Sequence, residues 1–105
     1  MSKGGMGNLM KQAMQMQAKI STLQKELDAR ELETSIGGGA VKIKINGRQE
    51  IIELSISPDA VNPSDVETLQ ELLKTAVNQA VKESQQMVSG AMSKITGGMN
   101  IPGLF

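Results

Sequence analysis

The sequence predicts an α+β fold in which a long N-terminal helix, a three-stranded antiparallel sheet and a long C-terminal helix follow one another. Three observations predict it. Leu9, Ala13, Met16, Ile20, Leu23 and Leu27 recur at alternating spacings of four and three, the period of a coiled-coil-like helical seam. Val41, Ile43 and Ile45 alternate with Lys42 and Lys44 and run into Asn46-Gly47, the period of a strand followed by a hairpin signal. After Asn62-Pro63 the helical spacing returns in Val66, Leu69, Leu73, Ala76 and Ala80.

The first helix is expected from about Asn8 to Arg30. Ala, Met, Gln, Lys, Leu and Glu dominate that stretch and neither Pro nor Gly interrupts it, which favours helix. Leu32, Thr34 and Ile36 then alternate with Glu33 and Ser35, and Gly37-Gly38-Gly39 turns the chain into the strand Val41–Ile45. Beyond Asn46-Gly47, Ile52, Leu54 and Ile56 alternate with Glu53 and Ser55 and form the return strand. Each strand should have one dry face, because side chains alternate across a sheet. Ser57-Pro58-Asp59 ends the third strand, and Ser64 with Glu67 has capping-box spacing. The second helix is expected from Asp65 to about Ile95, with a bend in its last third at Gly90 and its end at Gly97-Gly98. We read residues 1–105 as one domain with flexible tails at 1–7 and 97–105.

Composition narrows the chemistry. His, Cys, Trp and Tyr are absent and Phe105 is the single aromatic residue. Zinc and copper sites lean on imidazole or thiolate, and Cys- or Ser-His-Asp-based nucleophilic catalysis needs the same groups. No enzyme activity, metal, cofactor or small-molecule substrate is expected. No stretch approaches the ~20 apolar residues of a membrane span, and residues 1–15 lack a signal-peptide core. A cytoplasmic binding protein without a membrane role is the expectation.

Lengths point to self-association. Helices of roughly 35 and 45 Å overhang strands of about 20–27 Å, yet their apolar seams continue to the ends. A stripe of that kind needs a partner surface, and a three-stranded sheet leaves open edges. A twofold homodimer with projecting helical arms is the simplest arrangement.

The 11 basic and 11 acidic side chains sum to zero but are segregated. Met1 to Lys25 holds Lys3, Lys11, Lys19 and Lys25 and no acid, whereas Pro58 to Leu72 holds Asp59, Asp65, Glu67 and Glu71 and no base. Lys11, Gln15 and Lys19 step by four along one helix, and Lys74, Asn78, Lys82 and Gln86 along the other. Such rows of ammonium and amide donors suit phosphate oxygens. Two arginines and no stacking aromatics argue against guanine reading and single-strand binding. Duplex backbone contact is the mode these residues permit. From charge alone a solubilising face is the simpler reading, since zero net charge attracts DNA weakly at long range. Lys42 and Lys44 read as solubilisers and the eight methionines as flexible core fillers.

Longer motifs carry a resemblance. Lys3-Gly-Gly-Met-Gly-Asn-Leu-Met-Lys-Gln-Ala13 with Met16-Gln17, then Gly39-Ala-Val-Lys-Ile-Lys-Ile-Asn-Gly47, Ile56-Ser-Pro-Asp59, Ala76-Val-Asn-Gln-Ala80 and Gly98-Met-Asn-Ile-Pro-Gly103 span nearly the whole chain in order. The sequence so resembles the YbaB/EbfC family of bacterial nucleoid-associated proteins. The resemblance implies an α–β–β–β–α homodimer whose terminal helices project like tweezers and bind double-stranded DNA. It also implies a place in the nucleoid and an influence on gene expression. Carried over by position, Lys3, Lys11, Lys19 and Lys82 fall in matching basic blocks. Gln15, Asn78 and Gln86 are secondary donors, and Lys94 completes the candidate DNA-binding set. The competing expectation is a protein-interaction module whose arms clasp a partner helix.

Overall fold

The computed structural model describes residues 2–96, and the side chains of 7–95. Helix α1 (Ser2–Ala29) leads into strands β1 (Glu31–Ile36), β2 (Val41–Asn46) and β3 (Ile51–Ile56). A single 3-10 turn, Pro58–Ala60, precedes helix α2 (Val66–Thr96). The strands form one antiparallel sheet in the order β1-β2-β3, so the α+β order expected from the two apolar periods is the order observed.

Several local details go beyond or depart from the sequence reading. First, α1 begins at Ser2 and not near Asn8. Gly4, Gly5 and Gly7 each cost about 1 kcal/mol relative to Ala, but a helix already nucleated gains a hydrogen bond for each residue added. Residues 97–105, expected as a tail, lie outside the described residues. Second, Asp65 caps α2 where Ser64 was expected to. Its Oδ1 accepts the Thr68 backbone N–H at 3.3 Å and its Oδ2 the Thr68 hydroxyl; a carboxylate is the stronger acceptor at a helix N-terminus. The Asn62 side chain meanwhile accepts the Ser64 N–H at 3.0 Å.

Third, the β2–β3 connection is not a two-residue Asn-Gly turn. Asn46 and Glu50 close it, with Asn46 N–H donating to the Glu50 carbonyl at 3.1 Å. Gln49 takes the positive φ of 63°, while the Asn46 side-chain oxygen accepts the backbone N–H groups of Arg48 and Glu50. Gly47 is needed for a different reason: a Cβ there would stand 2.0 Å from the Leu27 carbonyl oxygen. Fourth, the pairing shifts between Lys44 and Ile45, so that Lys44 faces Glu53 and Ile45 faces Ile51. Ile52 is the extra residue of this bulge. Gly90, the expected bend, lies within an uninterrupted α2.

The core forms where α2 crosses the sheet. Val41, Ile43 and Ile45 on β2 are fully buried with Ala76 and Ala80 on α2, and Leu32, Ile36, Leu72, Leu73, Val77 and Val81 pack around them. Side chains of Val, Leu and Ile contribute roughly 1.5–3 kcal/mol each on full burial. The small Ala76 and Ala80 let the helix axis approach the branched residues of β2. Thr34 of β1 is buried in the same layer and donates its hydroxyl to Glu83 of α2.

One strand is left open. α2 lies over β1 and β2, and Ile51, Ile52 and Leu54 of β3 remain 45, 50 and 48 % exposed. Ile45 and Ile43, the register partners of Ile51 and Leu54, are fully buried. The molecule measures 78 × 23 × 16 Å with a radius of gyration of 20.6 Å, against about 13 Å for a compact chain near this length. Helix overhang accounts for the difference, since α1 and α2 run to about 42 and 46 Å.

Candidate nucleic-acid interface

The two ends of the sheet differ. At one end Gly37, Gly38 and Gly39 turn β1 into β2 with φ of 65°, 66° and 96°, beside the N-terminal half of α2 at Leu72. At the other end the Asn46–Glu50 turn is held between both helices. Leu27 of α1 is fully buried with its carbonyl against Gly47, and Ser84 of α2 donates its hydroxyl to the Asn46 carbonyl at 2.7 Å. Both helices leave the sheet from this end. Past Ser84, α2 continues for about 18 Å; from Leu27 back to Ser2, α1 covers roughly 38 Å. Ala18, Lys19, Thr22, Leu23 and Glu26 of α1 and Ile95 of α2 line a shared groove of about 380 Å³, so the two overhangs run side by side before α1 projects alone.

The candidate residues divide between these overhangs and the outer face of α2. Lys11, Gln15 and Lys19 are exposed on one side of α1, with Lys11 and Lys19 about 12 Å apart along the axis. Lys3 belongs to the first turns of α1, and its side chain lies outside those described. Asn78, Lys82 and Gln86 are exposed on the side of α2 turned away from buried Ala76, Ala80 and Ser84. Lys94 is exposed in the last turn of α2 beside Ile95, about 120° around the helix from Lys82. The structure therefore brings Lys11, Lys19 and Lys94 to one end and leaves Lys82 with its two amides on a separate face.

Electrostatic surroundings set these lysines apart from the others. Among the described residues the salt bridges are Lys44–Glu53 at 3.5 Å, Arg48–Glu50 at 3.8 Å and Lys74–Glu71 at 3.4 Å. Lys11, Lys19, Lys82 and Lys94 take part in none of them. Lys74, in the same four-residue row as Lys82, is drawn to its acidic neighbour and is the weaker phosphate ligand. Lys42 and Lys44 stand on the sheet face away from α2, among Glu33, Glu53 and Ser55, where their charge is locally answered. No group of three metal-ligating side chains converges among the described residues, nor is any described helix long and apolar enough to cross a membrane.

The structure locates the apolar surface around these cations, which the sequence reading held only as a competing expectation of a partner-clasping arm. Leu9 is 67 %, Met10 65 % and Met14 69 % exposed on the projecting part of α1. The methionines there are not core fillers. Their spacing of four was visible in the sequence, but only their exposure in the structure gives it meaning.

The family model for the YbaB/EbfC DNA-binding family matches residues 2–99. The chain belongs to that family. Among its curated relatives, a nucleoid-associated protein of Desulforamulus reducens is 53 % identical over 105 residues, covering all of both chains. One of Pelotomaculum thermopropionicum is 48 % identical, again over the full length of both. A nucleoid-associated protein of Clostridium acetobutylicum is 46 % identical over 99 % of this chain and 93 % of its own. Among solved structures, an uncharacterized protein of Helicobacter pylori has the same fold, with a TM-score of 0.72 at 24 % identity over 85 % of this chain and 94 % of that one. The YbaB/EbfC assignment, first suggested by the motif order from Lys3 to Gly103, thus holds over both helices and the whole sheet.

Proposed function

We propose that this protein is a homodimer that binds double-stranded DNA in the bacterial cytoplasm and helps to organise the nucleoid, with lysine–phosphate contacts made by its terminal helices. The observation that carries the reading is the α1 arm. Lys11, Gln15 and Lys19 stand exposed on it with no carboxylate in the same helix before Glu26, and an unpaired ammonium is free to replace a phosphate counterion. Family membership and nucleoid-associated relatives support DNA as the partner. The second copy is argued from β3, whose open edge and half-exposed Ile51, Ile52 and Leu54 are what one protomer leaves for another. A twofold there places two arms on one particle.

A second reading has its own observation. Exposed Leu9, Met10 and Met14 fit a clasp around an amphipathic partner helix. Duplex titration at several salt concentrations separates the two. With about four phosphates neutralised per dimer, the log–log slope should lie near −3.6. Binding that is absent in dilute buffer, or that ignores salt, overturns the DNA reading.

A further inference from the structure

The DNA-binding reading uses the basic end of the molecule and leaves the acidic end without a role. There, Ile36 of β1 and Leu72 of α2 form the apolar floor of an open groove of about 480 Å³, with Asp65, Glu67 and Glu71 at its rim. A second groove of about 450 Å³ shares Asp65 and Leu72 with it and adds Asp59. No Lys or Arg lines either one. The carboxylates are not equivalent. Asp65 is occupied in capping α2, and Glu71 is shared with Lys74. Glu67 and Asp59 have no hydrogen-bond or ion-pair partner among the described residues.

The complementary surface is on the arm of the same chain. Met10, Met14 and Lys11 fall within about 100° of one another on α1, on the side away from the Leu9–Leu27 seam. Exposed sulfur-containing side chains beside an ammonium match an apolar floor with a carboxylate rim in both chemistry and sign. Glu67 and Glu71 are one helical turn apart, as are Met10 and Met14 (about 6 Å in each case).

We propose that this groove docks the α1 arm of a second copy, with Met10 and Met14 over Ile36 and Leu72 and Lys11 against Glu67. The two surfaces are different patches, so the contact is head to tail and propagates into chains unless the rotation happens to close. It is distinct from the twofold contact argued for β3. Because Lys11 serves both the groove and the duplex, self-association and DNA binding draw on the same arm. A protein of zero net charge with opposite poles is held this way by attraction that salt screens.

The test uses the full chain without DNA, by sedimentation velocity at about 10 mM and about 1 M salt, where the screening length falls from ~30 Å to ~3 Å. The mass should rise with protein concentration in dilute salt and return at high salt to the basic unit. Glu67→Lys and Lys11→Glu should each abolish the rise, with unchanged circular dichroism because both side chains are exposed. The variant carrying both substitutions should recover it. No rise in the wild type, a rise that survives Glu67→Lys, or no recovery in the double variant overturns the proposal. Recovery supports it whether or not that variant binds duplex, so the outcome is independent of the DNA reading.

Discussion

Ser84 of α2 donates its hydroxyl to the main-chain carbonyl of Asn46, 2.7 Å away, in a buried contact between residues 38 apart in sequence. This bond ties the C-terminal helix to the turn against which Leu27 presses from the other side. The direction in which both helices leave the sheet is decided at that point. Replacing Ser84 by Ala leaves the carbonyl with the Gln49 N–H at 3.1 Å, so the loss should be limited to about 1 kcal/mol. In thermal melts that is a fall of about 5 °C for a domain near this size.

Gly47→Ala should cost more than Ser84→Ala. The added methyl carbon would sit 2.0 Å from the Leu27 carbonyl oxygen and 2.7 Å from its carbon, and these are backbone atoms that cannot swing aside. Relief requires α1 to move off the turn, an overpacking cost of about 1–3 kcal/mol. Urea denaturation should show the lower midpoint, and a midpoint equal to wild type would mean that α1 does not rest on this turn.

Glu83 makes stability depend on acid. The Thr34 hydroxyl and then the Gln79 amide donate to its carboxylate and hold its pKa below the ordinary value, against a smaller opposing effect of burial. A group with a depressed folded-state pKa adds stability above its unfolded pKa and loses it as pH falls through the folded one. Thr34→Val removes the leading donor. It should lower stability by about 1.5 kcal/mol near neutral pH and by less below about pH 4, where the carboxyl of the unfolded chain is itself protonated. Parallel stability–pH curves for the two proteins would exclude Glu83 as the cause.

Lysine substitutions test the arms. Lys11→Ala and Lys19→Ala should each weaken duplex binding by a similar factor on unrelated sequences. Each should also reduce the magnitude of the salt slope by about 0.9 for every phosphate that is no longer neutralised. In the proposed dimer two copies would double the effect. Lys74→Ala should change little, because Glu71 already engages that ammonium. Fluorescence anisotropy with two duplexes of different sequence reads both quantities.

Leu54→Glu tests the open strand. Leu54 is 48 % exposed in one protomer, so the substitution should leave each chain folded while placing charge in the proposed dimer interface. Light scattering in about 1 M salt, where head-to-tail attraction is screened, should report the mass of one chain for the variant and of two for wild type. An unchanged mass would move the dimer interface elsewhere.

Much of the candidate site was legible because its signals are local. The rows Lys11–Gln15–Lys19 and Asn78–Lys82–Gln86 follow from helical repeat alone, and the structure leaves all six exposed. Their relation to each other was not legible. That Ile95 meets α1 while Lys82 faces away from the core depends on where α2 crosses the sheet, a matter of packing and not of period. Gly47 looked like a turn glycine, yet the positive φ is carried by Gln49; no local pattern reveals a helix carbonyl arriving from twenty residues earlier. Ser64 had the expected cap spacing, but Asp65 one position on competes with a better acceptor.

The amino-acid sequence by itself determined the order and kind of the elements, because periods of 3.5 and 2 decide which side chains share a face whatever lies opposite. It also determined the separation of charge along the chain. Which apolar faces are covered was decided only by tertiary structure. Ile43 and Leu54 are register partners of similar size, yet one is fully buried and the other half exposed. The reason is geometric: a helix spans about two strands of a sheet (~10 Å across against ~4.8 Å per strand), so α2 dries β1 and β2 and leaves β3, like the arm of α1, to whatever the molecule binds.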